Sequence, residues 1–269
     1  YKKFVVLINA FGRFCILSAI VLIQILTGST MKTKIYLFTA YIFTVFFIAD
    51  AAAQTKLYLI PSLHGLHGVN KNYSYDTLKH IITQLNPDVI AVEIRSEDID
   101  ADTAYLKRSY PYEMWMMRYW FPNTKLLGFD WLGEDIEGRP IPKNYWKEIS
   151  PMKKLERELA QDSTLAKLCA VCDSIGELRL GILKNKSLKE IIESNDSQLC
   201  NQYYSCYSTF LNDSKFEFIP YFNNERNQRI LLNIQAIITK EEGKTIVVIT
   251  GDDHYVYLSD KIKSEQIFK

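Results

Sequence analysis

The sequence has little of what marks several common protein classes. Only 11 glycines and 8 prolines occur among 269 residues, which excludes collagen-like and Gly/Pro-rich disordered chains. Lysine and arginine number 32 against 31 aspartates and glutamates, so no basic excess indicates a nucleic-acid partner. No apolar run reaches the roughly 20 residues of a confident membrane span. With 48% hydrophobic and 23% charged residues, the composition is that of a globular protein.

The N-terminal residues have the pattern of an export signal. No methionine precedes Met31, after which Lys32 and Lys34 lead into an apolar stretch at 35–49 and an alanine triplet at 51–53. This order predicts a signal peptide over 31–53, cleaved before Gln54, with 1–30 as a non-native upstream segment. The alternative is an uncleaved N-terminal membrane hairpin, the one membrane contact we expect. Either way the rest of the chain is exported, to the periplasm or the medium.

Four of the five cysteines lie beyond the predicted signal, and an even set in an exported chain favours two disulfides. Cys169 and Cys172 are three residues apart, so a helix places both on one face, opposite a segment that carries Cys200 and Cys206. The pairing among them is open. The alternative is a structural zinc site, which uses the same four thiolates as ligands.

Four short runs rich in Val, Ile and Leu predict strands, at 57–60, 89–94, 126–129 and 245–250. None alternates strictly between apolar and polar residues, so we expect strands buried on both faces of a mostly parallel sheet. Ser74 is placed to cap a helix through Leu85 that Pro87 stops, and apolar spacing predicts another helix over 225–240. The prediction is an α/β domain over 54–269, its central sheet flanked by helices, with a helical insertion at about 142–213 before the last strand.

Ionisable side chains follow each predicted strand. Because the carboxyl ends of parallel strands lie along one edge of a sheet, where ligands bind, we expect these side chains to converge. Three of the four histidines of the chain are among them, and the fourth, His80, is predicted to lie on a helix away from the site. Clustered ionisable groups in a cleft indicate a functional site. The residues in question are His64, His67, Glu93, Asp130, Asp253 and His254.

Short motifs in this order resemble the TraB/TIKI superfamily, which is related to erythromycin esterase-like and ChaN-like haem-binding proteins. The family pattern is G-x-x-H after the first strand, Glu after the second, Arg on a late helix and a second G-x-x-H after the last strand. The chain has Glu93 at the end of the segment 87–93, Arg226 in the helix opening at 224–227, and an intact G-x-x-H at 251–254.

The first motif of the pattern departs from the family. Pro61 takes the place of the glycine, so either His64 or His67 is the counterpart of the family histidine.

The resemblance implies a hydrolase that cleaves a peptide or ester bond with metal assistance, on a peptide or small-molecule substrate. The implied catalytic residues are His64, Glu93, Arg226 and His254. Imidazole and carboxylate suit a divalent ion of the Mn, Co or Zn class, which His64, His254 and Glu93 would hold, while Arg226 stabilises the oxyanion. A metal-free version, as in the erythromycin esterases, has a histidine activate water while Glu93 fixes its tautomer.

Neither of two standard hydrolase motifs is present. The sequence contains no H-E-x-x-H zinc spacing and no G-x-S-x-G serine elbow.

Several residues near the predicted edge are secondary candidates for the site. His67 and Asp253 are alternate ligands or ligand partners, and Asp130 is a candidate hydrogen-bond partner for a histidine. Arg95 either positions substrate or caps the next helix, and Arg229 follows Arg226 by one turn and is placed to share its role.

The competing functional class is binding without chemistry. The resemblance to ChaN-like proteins implies haem as a ligand, and the aromatic segment 105–121 either walls a cleft for an apolar ligand or packs in the core.

Overall fold

The computed structural model describes residues 54–268, so the predicted signal peptide and the segment before it lie outside the described residues. The central sheet has four parallel strands in the order β1-β4-β2-β3. They are β1 (Lys56–Ser62), β2 (Val89–Arg95), β3 (Lys125–Asp130) and β4 (Thr245–Gly251). The α/β class and the four strands are therefore confirmed. Since the last strand inserts between β1 and β2, residues distant in sequence meet at the carboxyl edge.

Helices flank the sheet and fill the connection between β3 and β4. Before β3 lie α1 (Tyr75–Leu85), α2 (Thr103–Ser109) and α3 (Tyr112–Trp120), with a 3₁₀ turn at His64–Gly68. Between β3 and β4 lie a π-helical turn at Tyr145–Ile149, then α4 (Pro151–Gln161), α5 (Ser163–Asn185), α6 (Leu188–Ile192), α7 (Asp196–Leu211) and α8 (Phe218–Lys240). The last helix is α9 (Asp252–Ser259). None of the helices within 54–268 combines the length and apolarity that crossing a membrane requires.

Two helices illustrate how local sequence sets their ends. Ser74 caps α1 as predicted, because its hydroxyl accepts the backbone N–H of Thr77. The helix predicted at 225–240 begins earlier, at Phe218. Pro220 does not prevent this, because proline is tolerated in the first turn, where its missing N–H needs no partner.

Both faces of the sheet are buried, as expected of a parallel sheet. Alternate residues of a strand point to opposite faces, so Ile90 and Val92 of β2 join one core cluster, while Val89 and Ala91 join the other. The helix α8 covers the second face through Ile230, Ile234 and Ile237. With both faces occupied, the carboxyl edge is where strand ends remain accessible.

The cysteines form one disulfide in the described residues, so the expectation of two is wrong. Cys172 of α5 is bonded to Cys206 of α7, and Cys169 and Cys200 are free and buried. The two helices run antiparallel, since Arg179, later than Cys172 on α5, pairs with Asp196, which precedes Cys206. A partner for Cys169 would have to lie beyond Cys206, whereas Cys200 lies before it. Two of the four thiols that the zinc alternative requires are bonded to each other.

Candidate active site

Glu93, at the end of β2, is the centre of a polar cluster at the carboxyl edge of the sheet. Its Oε1 accepts a hydrogen bond from Arg226 Nη2 at 2.9 Å and lies 3.6 Å from His254 Nε2. Its Oε2 accepts the backbone N–H of Gly251 at 2.6 Å and the hydroxyl of Thr250 at 2.9 Å. The insertion of β4 beside β2 explains this meeting, because Gly251 and Thr250 end the strand that β2 pairs with.

His64 reaches the same cluster from the turn after β1. Its backbone is left-handed, with φ of 49°, a conformation uncommon outside glycine and often found at functional sites. A Cβ on Gly251 would lie 2.7 Å from His64 Nε2 and 3.5 Å from Glu93 Oε2. Glycine at this position therefore lets the imidazole approach the carboxylate. The convergence of His64, Glu93, Arg226 and His254 is the arrangement that the motif order predicts.

Glu113 fixes the ring of His64, a role that the metal-free version of the sequence hypothesis gave to Glu93. His64 Nδ1 donates to Glu113 Oε1 at 2.7 Å, and the Ser62 hydroxyl donates to the same oxygen at 2.6 Å. Glu113 is fully buried on α3, whereas the His64 side chain is 35% exposed. Glu113 was not predicted. The available signal is an acidic residue on the buried stripe of α3, beside Met114 and Met117.

The His67 side chain lies outside the cluster, and its hydrogen bonds stabilise the turn after β1. Its Nδ1 donates to the carbonyl of Tyr73 at 2.7 Å, and its Nε2 accepts the backbone N–H of Leu63 at 3.0 Å. Burial, the largest effect, lowers the pKa of this ring. Both nitrogens of His67 are bonded within the fold, so His64 is the histidine that faces Glu93.

The two histidines of the cluster have opposite pKa shifts. Burial lowers the pKa of His64, but the hydrogen bond to Glu113 and the charges of Glu93 and Glu113 outweigh it and raise the pKa to about 9. Burial and then the charge of Arg226 lower the pKa of His254 to about 4. At pH 7, His64 is therefore protonated and His254 is neutral. The Nδ1 of His254 donates to Asn227 Oδ1 at 2.6 Å, which leaves a lone pair on Nε2.

The carboxylate of Glu93 is ionised over this range. Burial favours the neutral acid, but the charges of His254, Arg226 and His64 and the Gly251 amide lower the pKa of Glu93 to about 2. Since His254 is neutral at pH 7, Arg226 and His64 supply the balancing charge there.

Asp130 pairs with the arginine of the cluster and not with a histidine, so its predicted role is wrong. Its Oδ1 accepts from Arg226 Nε at 3.1 Å, from Arg226 Nη2 at 2.8 Å and from the Trp131 backbone at 2.7 Å. Burial raises the pKa of Asp130 to about 6 against the opposing charge of Arg226. Asp130 thus fixes the orientation of the guanidinium.

An ion cluster around the buried Arg179 holds the first turn of α9, which carries His254. Arg179 of α5 donates to Asp252 at 2.8 Å, to Asp196 at 3.1 Å and to Asp253. The Tyr204 hydroxyl of α7 also donates to Asp253, at 2.6 Å. Asp253 is therefore committed to the helical segment between β3 and β4 and is not a partner of either histidine. Arg179 was not predicted.

Arg95 and Arg229 lie outside the cluster. Arg95 is 2% exposed and donates to Asp98 at 2.7 Å and to the carbonyl of Ile136 at 2.7 Å, so it holds the loop after β3. Arg229 is 44% exposed, and its nearest carboxylate is Glu134 at 3.7 Å. The expected shared role with Arg226 is wrong, because Arg229 contacts none of the carboxylates of the cluster.

The aromatic segment 105–121 packs mainly in the core. Met114, Trp115 and Met117 are buried in the cluster on one face of the sheet, whereas Tyr112 and Tyr119 are exposed.

The donor set of the cluster does not fit the predicted metal ion in this arrangement. Each histidine holds Nδ1 on an oxygen and leaves Nε2 free, as metal-binding histidines do. Both oxygens of Glu93, however, already accept hydrogen bonds, and the Arg226 guanidinium at 2.9 Å repels a cation. Within residues 54–268 no group of three His, Cys, Asp or Glu side chains is arranged to hold a metal. The Mn, Co or Zn class ion stays a prediction that metal analysis of the purified protein tests.

Comparisons of this chain with protein-family models, with curated proteins and with solved structures find no match. The likeness to the TraB/TIKI superfamily therefore rests on the motifs alone and stays a prediction.

Proposed function

We propose that the protein is a hydrolase that cleaves a peptide or ester bond by acid–base catalysis at His64, Glu93, Arg226 and His254. The observation that carries the proposal is the convergence of two imidazoles and a guanidinium on one buried carboxylate, at 3.6 Å and 2.9 Å for His254 and Arg226. Titratable groups whose environments separate their pKa values are typical of acid and base pairs. The resemblance to the TraB/TIKI superfamily implies the same reaction class.

His254 is the general base in this mechanism. Its Nε2 lone pair accepts a proton from the attacking water, while Asn227 holds the other nitrogen at 2.6 Å. The imidazolium that forms is stabilised by the ionised Glu93, 3.6 Å away. The His254 side chain is 13% exposed and is oriented through its far nitrogen, which is the arrangement that general-base catalysis uses.

His64 is the general acid and Arg226 stabilises the oxyanion. Water oxygen bonds to the carbonyl carbon, and the negative oxygen that develops is placed against the guanidinium. When the bond to the leaving group breaks, the leaving oxygen or nitrogen takes the proton of His64 Nε2. His254 then releases its proton to solvent and His64 regains one. Activity therefore requires neutral His254 and protonated His64, which predicts a bell-shaped profile between pH values of about 4 and about 9.

The test is hydrolysis of p-nitrophenyl acetate and of a quenched fluorescent peptide mixture by the wild type and a His254→Gln variant. We expect the variant to lose about 10²- to 10⁴-fold in rate, the usual worth of a general base. His80→Gln is the matched control, since His80 lies exposed on α1, and its rate should equal that of the wild type. A wild type without activity on either substrate, or a fully active His254→Gln variant, contradicts the proposal.

A chelator separates the two versions of the hydrolase. Activity that persists in EDTA supports the metal-free mechanism. Loss of activity in EDTA, restored by added Mn²⁺, Co²⁺ or Zn²⁺, supports the metal-assisted version instead.

Haem binding is the second candidate function, as the resemblance to ChaN-like proteins implies. The Tyr75 hydroxyl donates to the His64 carbonyl at 3.0 Å, and the rings of Tyr75 and Tyr112 lie 4.8 Å apart. An aromatic surface thus adjoins a partly exposed imidazole, the group that binds haem iron in many proteins. A Soret band on adding haem that is absent in His64→Ala would support this candidate, and an unchanged band would contradict it.

A further inference from the structure

A cleft of about 270 Å³ opens beside the polar cluster. Its floor consists of Glu93, Asp130 and Arg226, and its walls are formed by Tyr110, Pro111, Leu132 and Trp146. The cleft is therefore lined by two of the four residues to which the proposed function assigns chemistry, Glu93 and Arg226, and His254 Nε2 lies 3.6 Å from Glu93 Oε1.

Four residues give the walls of the cleft apolar surface, beside the cation of Arg108 and the hydroxyl of Ser109. The Tyr110 hydroxyl donates to Asp98, which commits the polar end of this side chain to the network around Arg95. Trp146 Nε1 donates to the carbonyl of Ser109 at 3.4 Å. With these polar atoms bonded elsewhere, the rings of Tyr110 and Trp146 together with Pro111 and Leu132 are left to contact a ligand. Trp146 is 38% exposed. This exposure is unusual for the largest apolar side chain, which is highly buried on average.

The floor supplies a hydrogen-bond donor. All the hydrogen bonds that Arg226 makes within the described residues come from Nε and Nη2, to Asp130, Glu93 and the carbonyl of Trp131. The hydrogens of Nη1 are left for a ligand, and the side chain is 20% exposed. A guanidinium with unused donors beside apolar walls is complementary to a carbonyl or carboxylate oxygen that carries an apolar substituent.

We propose that this cleft is the acyl-binding site, that its ligand is the apolar, preferably aromatic, acyl group of the substrate, and that Trp146 determines this preference. The proposal rests on the proposed function and names the substrate class: esters or amides of arylalkanoic acids. A carbonyl oxygen on Arg226 Nη1 places the acyl carbon beside Glu93, and the ring then lies against Trp146. The volume suits such a group, since an apolar cavity of roughly 150 Å³ holds a benzene molecule.

The experiment compares hydrolysis of p-nitrophenyl phenylacetate and p-nitrophenyl acetate by the wild type, Trp146→Ala and Trp146→Phe. We expect Trp146→Ala to lower kcat/KM about tenfold on the phenylacetate ester, mainly through KM, and by less than about twofold on the acetate. Trp146→Phe should recover most of the difference. Tyr119→Ala, which removes a 51% exposed aromatic outside the cleft, should change neither substrate. Equal losses on both esters, or no loss on either, overturn the proposal.

Binding of phenylacetate itself separates this inference from the proposed function. In titration calorimetry, the dissociation constant for phenylacetate should be about tenfold higher for Trp146→Ala than for the wild type. If the wild type hydrolyses neither ester but phenylacetate binding depends on Trp146, the cleft is supported and the hydrolase is not. If the esters are hydrolysed but phenylacetate binds both proteins equally, the hydrolase is supported and the assignment of the cleft is wrong.

Discussion

The turn after β1 and the first turn of α9, directly after β4, each place a histidine beside Glu93, but the two imidazole rings are held by different hydrogen-bond partners. Both rings are fixed at Nδ1, His64 by the carboxylate of Glu113 and His254 by the amide of Asn227. The negative charge of a carboxylate stabilises an imidazolium more than a neutral amide does. Together with burial and the charge of Arg226, this difference places one pKa at about 9 and the other at about 4. The partner of the far nitrogen thus helps to decide which histidine carries a proton.

The two turns also differ in what anchors them. The β1 turn is held by the charged pair of His64 with Glu113 and by neutral hydrogen bonds from His67 to the Tyr73 carbonyl and from the Leu63 N–H to His67. The β4 turn is held by the ion cluster of Arg179, whose helix α5 is bonded to α7 by the disulfide. Both sides therefore contact the helical segment between β3 and β4. The His254 side does so through charged groups, whereas the His64 side does so through the Asn70 amide, which donates to the carbonyls of Leu183 and Lys186 at 2.7 Å and 2.9 Å.

Of the single substitutions that test the difference between the two turns, removal of Arg179 should change the stability of the protein most. Arg179→Met removes the cation from the buried Asp196 and from the partly exposed Asp252 and Asp253, so the free energy of unfolding should fall by about 3 kcal/mol. Urea denaturation measures it. Lys189→Met is the matched control, because Lys189 and Glu193 are exposed and 3.8 Å apart, and should cost less than about 1 kcal/mol. Similar small losses in both variants would mean that the ion cluster does not anchor the β4 turn.

Removing the disulfide tests how much the cross-link between α5 and α7 contributes to the stability of the segment that contacts the β4 turn. The double variant Cys172→Ser, Cys206→Ser opens a loop with a sequence separation of 34, which should lower the free energy of unfolding by about 3 kcal/mol. The wild type under reducing conditions should match the variant in urea denaturation. A variant as stable as the oxidised wild type would show that the cross-link contributes nothing to this segment.

In Glu113→Gln, a neutral amide replaces the carboxylate at His64 Nδ1, as the Asn227 amide is the partner of His254 Nδ1 in the wild type. The pKa of His64 should fall from about 9 towards the ordinary value of about 6.5, so the alkaline limb of kcat/KM moves to lower pH and the rate at pH 8 drops about 30-fold. Glu193→Gln, at an exposed position, should leave the profile unchanged. The raised pKa also means that the wild-type pair stabilises the fold below about pH 6.5, and that this contribution is lost as the pH rises through about 9. An unshifted alkaline limb in Glu113→Gln would remove His64 as the acid.

The reverse exchange, Asn227→Asp, should have the smallest effect of the four. A carboxylate beside Nδ1 raises the pKa of His254 from about 4, so the acidic limb of the profile moves to higher pH. For a rise of about one pKa unit we expect about a twofold loss of rate at pH 5 and about a fivefold loss at pH 4. If the acidic limb stays in place, His254 is not the group whose neutral form the reaction requires.

The strands and the central residues of the site were predictable from the sequence because both follow from local patterns. Runs such as 245–250 are apolar without alternation. Glu93 lies near the carboxyl end of one buried strand, and His254 lies in the helix that directly follows another. Parallel pairing then determines that they meet at one edge. The order of the strands, with β4 inside the sheet, was not predictable from these runs.

The partners of these residues were not predictable, since they come from helices whose position depends on tertiary packing. Glu113 lies in the aromatic-rich segment 105–121, for which the sequence leaves both a cleft wall and core packing open, and Arg179 lies on a buried face with Cys172 and Leu183. Each is a charged residue on the apolar face of a helix, which requires a partner. The sequence signals that a partner exists without identifying it, and the same limit explains the incorrect assignments of Asp130 and Arg229.

A pH titration of the histidine ring signals by NMR tests the central claim most directly. Each of the four histidines is assigned by its own substitution, and the rings are followed from pH 3 to pH 10. The account predicts that the His64 signal titrates near pH 9 and the His254 signal near pH 4, so that one is protonated and the other neutral at pH 7. Titration of both rings near the ordinary value of about 6.5, or in the reverse order, would contradict it.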